Sequence, residues 1–384
     1  MRPLNDACIS EDLDNMPDSK IRFTMIGGFL GAGKTTTIGK LARHYQSLGK
    51  RVGIVTNDQA YGLVDTENLR HSGFSVEEVP GACFCCKFDD LIATTQKLSA
   101  ERLPDIILAE PVGSCTDLAA TVVEPMRQLY GDRFEMGPLI VLMKPEHGRK
   151  ILTGETGIGF SPKAAYIFLK QLEEADVIII NKIDKLTEAE LSTIAEQLEK
   201  RFPNKQVLSY SAKAGVGFEE LVLALNSPPP RRESMMEVDY DIYAEGEAEL
   251  GWLNCQVEVK GNTPIDIDGF ILHLVRELAE SLASEGAEPA HLKVMAHCDG
   301  EAAIANLVAS DAPPELSLAS GAHGTGIDVV INARVALDPE VLEKVVREVI
   351  MKEAKRLNFT CDVAGMQRFR PGRPIPTHRI TAAS

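Results

Sequence analysis

No apolar run in the 384-residue sequence is long enough to span a bilayer; the longest, Pro138–Met143 and Val177–Ile180, are strand-sized. The opening stretch, MRPLNDACISEDLDNMPDSK, lacks the apolar core of a signal peptide. Residues 1–19 therefore read as a flexible arm, and the protein as cytoplasmic. Positive charge is scarce. Lys and Arg number 40 against 56 Asp and Glu, a net charge of −16. A nucleic-acid backbone would be repelled, whereas metal cations would not. The eight cysteines should be reduced in such a compartment, so close spacing points to metal or redox chemistry rather than a disulfide framework. Hydrophobic content of 44% and charged content of 25% suit a globular chain long enough for two domains.

The strongest local signal is Gly27–Thr37, GGFLGAGKTTT, between a strand-like IRFTMI and a helix-like segment to Leu48. Gly28, four residues, then Gly33-Lys34-Thr35 is the spacing of a phosphate-binding loop. Glycines let successive N–H groups (Gly28, Gly31, Ala32, Gly33, Thr36) turn toward a phosphate, and the following helix adds its positive end. Lys34 reaches the β- and γ-phosphates, and Thr35 offers a hydroxyl to Mg²⁺.

From Ile21 to about Asn226, apolar strands alternate with helices. Strands are expected at Ile21–Ile26, Arg51–Thr56, Asp105–Ala109, Pro138–Met143, Asp176–Ile180 and Lys205–Tyr210. Helices are expected at Gly33–Leu48, Phe88–Ala100, Thr116–Leu129, Pro162–Glu174, Glu188–Lys200 and Gly217–Leu225. This pattern predicts a doubly wound parallel sheet whose ligands sit at the carboxyl ends of its strands. The fold class is α/β: a P-loop NTPase sheet at 20–227, followed by a smaller α+β domain.

Each strand-end loop then has a reading. Asp58, in TNDQAYG, is placed to hold Mg²⁺ or a second metal, or is a turn aspartate. Pro80–Lys87 reads PGACFCCK; Cys83, Cys85 and Cys86 suit a soft or borderline cation, with a redox dithiol or buried small residues as alternatives. The helix after them would lower their thiol pKa values. Three thiolates leave a fourth position open. Glu110, at a strand tip, would orient Mg²⁺ or its water, and Gly113 would let its N–H approach the γ-phosphate. Cys115 close behind is a sensor of that region or simply small and buried. Lys144–Ser161 reads as a mobile loop with a solvated His147. Asn181-Lys182-Ile183-Asp184 is the pattern that reads guanine: Asp184 accepts from the ring N1–H and exocyclic amine, which adenine does not offer. Ser211-Ala212-Lys213 would be the second base-contacting loop.

Pro228–Pro230 breaks the chain, and 228–236 reads as a stiff linker. Beyond it, alternation over Leu253–Lys260 and Gly326–Leu337, two short strands at His291–His297 and Glu301–Val308, and amphipathic helices at Asp268–Ala283 and from Asp338 to about Leu357 predict an α+β domain over 237–360. His291, His297 and Cys298 are a weak candidate for a second soft-metal site. The basic tail, 361–384, reads as solvated.

Together GGFLGAGKTT, CFCC, the strand-end Glu110 with its trailing Gly113, and NKID resemble the CobW-type metallochaperone GTPases of the SIMIBI class, relatives of the hydrogenase and urease nickel-insertion GTPases. The resemblance covers about Lys20 to Asn226. It implies GTP- and Mg²⁺-dependent handling of a transition metal, Zn²⁺ or Co²⁺, delivered to a metalloenzyme or corrinoid-pathway client. It implies a metal motif at Cys83, Cys85 and Cys86, catalysis through Lys34, Thr35 and Glu110, a CobW-C-like second domain, and a GTP-dependent homodimer. The chain departs from the family at Asn57-Asp58-Gln59-Ala60 and Glu110-Pro111-Val112-Gly113, and it has no histidine-rich tract. Competing readings are a GTP-switched protein chaperone without metal transfer and a small-molecule P-loop kinase.

Overall fold

The computed structural model describes residues 20–58, 64–98, 103–152, 161–232, 234–287, 289–307 and 313–381. The expected arm, Gln59 and Ala60, and the glycine-rich run 153–160 lie outside the described residues.

The first half is a parallel sheet. Its strands are β1 (Ile21–Gly28), β2 (Val52–Asp58), β3 (Ser75–Pro80), β4 (Ile106–Glu110), β5 (Phe134–Met136), β6 (Ile140–Met143), β7 (Val177–Ile180) and β8 (Gln206–Ser209). They run in the order β3-β2-β4-β1-β6-β7-β8, with β5 also paired to β1. Helices α1 (Lys34–Ser47), α2 (Val64–His71), α3 (Phe88–Leu98), α4 (Glu124–Tyr130), α5 (Pro145–Leu152), α6 (Pro162–Glu174), α7 (Glu188–Arg201) and α8 (Phe218–Asn226) connect them. The central strands read as continuous apolar runs because both faces are covered. Along β4, Ile106 and Leu108 join one core with Ile54 and Ile140, while Ile107 and Ala109 join the other with Phe23 and Val55. Truncating a fully buried side chain such as Ile107 to Ala would cost about 2–5 kcal/mol.

Four elements of this half were not expected from the pattern. β3, SVEEVP, is an edge strand with only two buried residues, so it carries no apolar run. α2 and β5 are short. α5 occupies the start of the expected mobile loop, and His147 on it is buried, not solvated, edge-on to Phe29 at 5.5 Å and Phe168 at 6.1 Å. Elsewhere local chemistry sets the helix ends. Ser161 caps α6 ahead of Pro162, and Thr187 with Glu190 forms a capping box on α7.

The second half holds α9 (Tyr240–Ala248), β9 (Gly251–Asp266), α10 (Ile267–Ser284), β10 (Pro289–Cys298), β11 (Glu301–Leu307), β12 (Glu315–Leu318), β13 (His323–Val335), α11 (Pro339–Leu357) and β14 (Thr360–Phe369). Its strands form an antiparallel sheet in the order β12-β11-β10-β13-β9-β14. Helices α10 and α11 cover one face, where Leu274, Leu278, Val345 and Val349 meet Val257, Val294 and Ile331.

The other face turns toward the first domain. Met295, Ala302 and Ile304 pack on Val64 of α2, and Asn332 Oδ1 accepts from Val64 N at 2.9 Å. Three expected boundaries differ. Helix α9 packs against α6, and Tyr243 on it lies in the first domain's core. In the expected linker, Arg232 bonds Asp176 at 2.6 Å beneath the sheet. Residues 360–369, expected mostly as tail, extend the sheet as β14. The rest of the tail, largely exposed, is nevertheless docked on the first domain: Arg379 pairs with Asp117 at 2.7 Å, and Ile380 N donates to Ala120 O at 2.9 Å. Arg379 thus meets a buried acid of the first domain, which local sequence cannot reveal, while Arg368 and Arg373 pair with Glu343 and Asp241.

Candidate functional site

The phosphate-loop residues converge where β1 ends. Gly28 has φ 130°, and a Cβ there would lie 2.1 Å from Leu142 O, so only glycine fits. Gly33 is left-handed at φ 95° and starts α1. Lys34 Nζ donates to Gly28 O at 2.9 Å, and Thr35 Oγ1 donates to Glu110 Oε1 at 3.0 Å. Gly113 faces the same place: a Cβ on it would lie 3.2 Å from Lys34 Nζ. Gly31 and Thr36 are exposed, and Ala32 is buried.

The base-side residues meet across β7 and β8. Asn181 Nδ2 donates to Ala32 O at 2.7 Å, while its Oδ1 accepts from Lys182 N at 2.8 Å and Ala212 N at 3.0 Å. One buried amide thus fastens this loop to the phosphate loop and to the Ser211–Lys213 loop. Ser211 Oγ donates to Asp184. Asp184 and Lys213 are exposed. Burial, with help from the Lys144 charge, brings Lys182 down to about 8.

Asp58, at the tip of β2, faces the second domain. Arg334 of β13 donates to both its oxygens, at 3.0 and 3.2 Å, so the metal role expected of it meets a residue already in an ion pair. A second carboxylate, Asp65 of α2, lies close enough to Thr35 and Glu110 to feel both, and it is paired with Lys293 of β10. Burial alone would raise Asp65, but the Lys293 and His291 charges and the Lys293 hydrogen bond overrule it and hold it at about 2. Glu110 moves the other way. Burial, reinforced by the Asp65 charge, pushes it up to about 7. Burial lowers Lys34, with Glu110 and Asp65 opposing. Sequence reasoning missed Asp65 and Lys293; the only signal for the pair was an acid in the first turn of an unrecognised helix.

The three cysteines come together as expected. Cys83 Sγ lies 2.9 Å from Cys85 Sγ and 3.2 Å from Cys86 Sγ, and Cys85 and Cys86 are 3.8 Å apart. Asn57, at the end of β2, clips their loop: its amide donates to Val79 O and Ala82 O at 2.7 Å and accepts from Phe84 N at 2.9 Å. Phe84, fully buried, anchors the centre, and Cys86 N and Lys87 N both turn back to Cys83 O at 3.0 Å. The uniform lowering of thiol pKa expected from the helix is not found. Hydrogen bonds from Cys115, Cys85 and Cys86 hold Cys83 well below the usual thiol range. Hydrogen bonding with Cys83 raises Cys85 well above it, and Cys86 to about 11. Neighbouring thiols, not the helix, set this pattern.

His291 and His297 share the face of β10 turned to the first domain, but Cys298 points into the opposite core, so no cluster of the three forms. His297 instead lies against His71, ring centroids 5.5 Å apart.

A doubly wound sheet with this loop defines a P-loop nucleotide-binding protein. Residues 22–209 match the family described as CobW/HypB/UreG, nucleotide-binding domain, and that segment belongs to it. The chain is 26% identical over 253 residues to a protein of Sinorhizobium sp. called zinc chaperone CobW, covering 58% of this chain and 68% of that protein. It is 30% identical over 173 residues to zinc chaperone YeiR of Escherichia coli, covering 43% of this chain and 48% of the relative. The chain thus spans about half the length of that second relative. Among solved structures, Zn(II)-bound YjiA GTPase from E. coli aligns at 16% identity and a TM-score of 0.38, covering 86% of this chain and 99% of that one. Among the described residues, no helix is long and apolar enough to cross a membrane.

Proposed function

We propose that the protein is a GTP-hydrolysing metallochaperone that carries a transition metal, zinc foremost, on Cys83, Cys85 and Cys86 and passes it to a client metalloenzyme or corrinoid pathway. One observation carries the reading: the thiol cluster and the phosphate loop are linked through the same two strand tips. Asn57 at the tip of β2 clips the cysteine loop, and Glu110, paired in register with Thr56 at the neighbouring tip of β4, takes the Thr35 hydroxyl. The zinc-chaperone relatives support zinc over cobalt.

Lys34 would leave Gly28 O for the β- and γ-phosphates, with the amides of Gly28, Gly31, Ala32, Gly33 and Thr36 around them. Glu110 Oε2 is buried and has no hydrogen-bond partner among the described residues, which fits a place for Mg²⁺ or its water beside Thr35. Mg²⁺, when bound, would neutralise charge on the phosphates during in-line attack by water. Asp65 would contribute a second carboxylate there. Gly113 would bring its N–H to the γ-phosphate. Asp184 would accept from guanine, with Asn181, Lys182, Ser211, Ala212 and Lys213 forming the base pocket. A homodimer around nucleotide is compatible with the family.

The test is a metal titration with GTP and Mg²⁺. The protein should bind Zn²⁺ more tightly than its triple Cys83→Ser, Cys85→Ser, Cys86→Ser variant, and more tightly with a nonhydrolysable GTP analogue than with GDP. Equal binding by protein and variant would leave a nucleotide-switched chaperone without a metal cargo.

A further inference from the structure

Among the described residues a second group of side chains has the makeup of a metal site. It lies on the helix-covered side of the second domain's sheet, the side turned from the first domain. His273 and Glu277 sit about one turn apart on α10, and Glu353 meets them from α11. His273 Nε2 lies 3.3 Å from Glu353 Oε1 and 3.8 Å from Glu277 Oε1. One ligand atom from each residue falls within 4.8 Å of the others. Glu353 sets this group apart from a surface ion-pair cluster. The residue is 1% exposed, and its Oε1 is buried without a hydrogen bond among the described residues. A carboxylate oxygen in that position costs free energy unless a cation meets it. Arg356 serves only the other oxygen, donating to Oε2 at 2.8 Å. Lys352 likewise takes Oε2 of Glu277. Each carboxylate is thus held by one oxygen and turns the other toward the imidazole.

We propose that His273, Glu277 and Glu353 form a second site for a divalent transition metal, zinc foremost. Imidazole nitrogen and carboxylate oxygen hold zinc at about 2.0–2.2 Å, and ligands at that distance in a tetrahedron are about 3.4 Å apart. The separations of 3.3 and 3.8 Å bracket that value before any ion is bound. Binding takes the neutral imidazole, so any proton on His273 Nε2 goes to solvent as the nitrogen–metal bond forms, with no change in oxidation state. The two carboxylates neutralise the ion, and Arg356 and Lys352 keep them oriented from outside. The side chains of His273 and Glu277 are 30% and 15% exposed, so the fourth position opens to solvent and can take water. An ion here joins α10 to α11, the two helices whose Leu274, Leu278, Val345 and Val349 build the core of this domain. Its binding therefore stabilises the second domain. The site uses neither the cysteines nor the nucleotide.

The full chain with Cys83→Ser, Cys85→Ser and Cys86→Ser separates this site from the thiols. In excess Mg²⁺ and without nucleotide, equilibrium dialysis of that triple variant should find one Zn²⁺ bound, and the ion should raise its melting temperature. Adding His273→Gln or Glu353→Gln should weaken the binding by roughly tenfold to a hundredfold or more and erase the thermal shift. In the wild type, which needs no variant to fold, the NMR resonances of the His273 ring should move when a second equivalent of Zn²⁺ is added. A triple variant that binds no Zn²⁺, binding that survives both added changes, or His273 resonances that stay in place would overturn the proposal and leave an ion-pair network only. None of those results touches the thiolate carrier. That reading fails separately, if removing the three cysteines subtracts no bound ion.

Discussion

Arg334 and Asp58 lock the two domains together at the tip of β2. The Arg334 guanidinium donates to both Asp58 oxygens, lies 4.2 Å over the Trp252 ring, and takes Leu253 O and Asn254 Oδ1 on its other arm. Arg334→Ala should remove the ion pair with Asp58 and the contact with Trp252 at the domain junction and destabilise the protein by about 2–4 kcal/mol. Thermal unfolding measures this. Pairing the change with Asp58→Asn should cost less than the sum of the two single changes, since both remove the same ion pair.

Guanine recognition is testable at one atom pair. Asp184→Asn replaces two acceptor oxygens with an amide that both donates and accepts. GTP affinity should fall by about a hundredfold or more, because two hydrogen bonds to a charged group are lost. Xanthosine triphosphate, which has a carbonyl in place of the guanine amine, should gain. Nucleotide displacement assays give both constants, and an unchanged GTP/XTP ratio would refute the assignment.

Lys293 crosses from the second domain to Asp65 at the Mg²⁺ position proposed above. It therefore competes with a divalent cation for that carboxylate. Lys293→Met should lower the Mg²⁺ concentration for half-maximal GTP hydrolysis by roughly threefold to tenfold, a modest change because partial solvent access weakens the charge–charge energy. A rise in the Mg²⁺ requirement would show that Lys293 helps hold the metal–nucleotide pair instead.

Glu174 is buried between Thr116 and Ala119, which donate to it at 3.2 and 3.0 Å, and burial pushes it up to about 8 from an ordinary 4.5. Between those values the folded chain binds a proton that the unfolded chain releases. Its contribution to stability is therefore complete below about 4.5 and is lost as pH rises through about 8. Glu174→Gln should flatten that segment of a plot of melting temperature against pH. Each tenfold difference in proton affinity is worth about 1.4 kcal/mol, so the change in slope is measurable.

The sequence alone supports those parts of the site that depend on short-range spacing. Gly28, Lys34 and Thr35, the Asn181–Asp184 run, and Cys83, Cys85 and Cys86 are each local patterns, and the central strands are runs that must be apolar on both faces. What escaped the sequence is what long-range pairing decides. Asp65 and Lys293 are 228 positions apart, and neither stands out locally. Asn57 looks like any strand-end amide until the cysteine loop folds over it. β3 was missed because an edge strand has one neighbour and tolerates Glu77 and Glu78. The basic tail reads as solvated because its partner Asp117 is 262 positions upstream of Arg379. The Asp58 ion pair is hidden for the same reason, since its partner Arg334 belongs to another domain.

The proline run at 228–230 looks like a place to cut, but the wall it separates is shared. Tyr243 fills a slot in the first domain's core, Glu247 takes the Ser114 hydroxyl, and the backbone of Ile375 and Thr377 lies along Cys86 and Cys85. A fragment ending at the prolines would carry an open socket beside its thiols and an uncapped Cys86. The two halves are better regarded as interlocking pieces than as beads on a string, and traits measured on the first piece alone would belong to a different molecule.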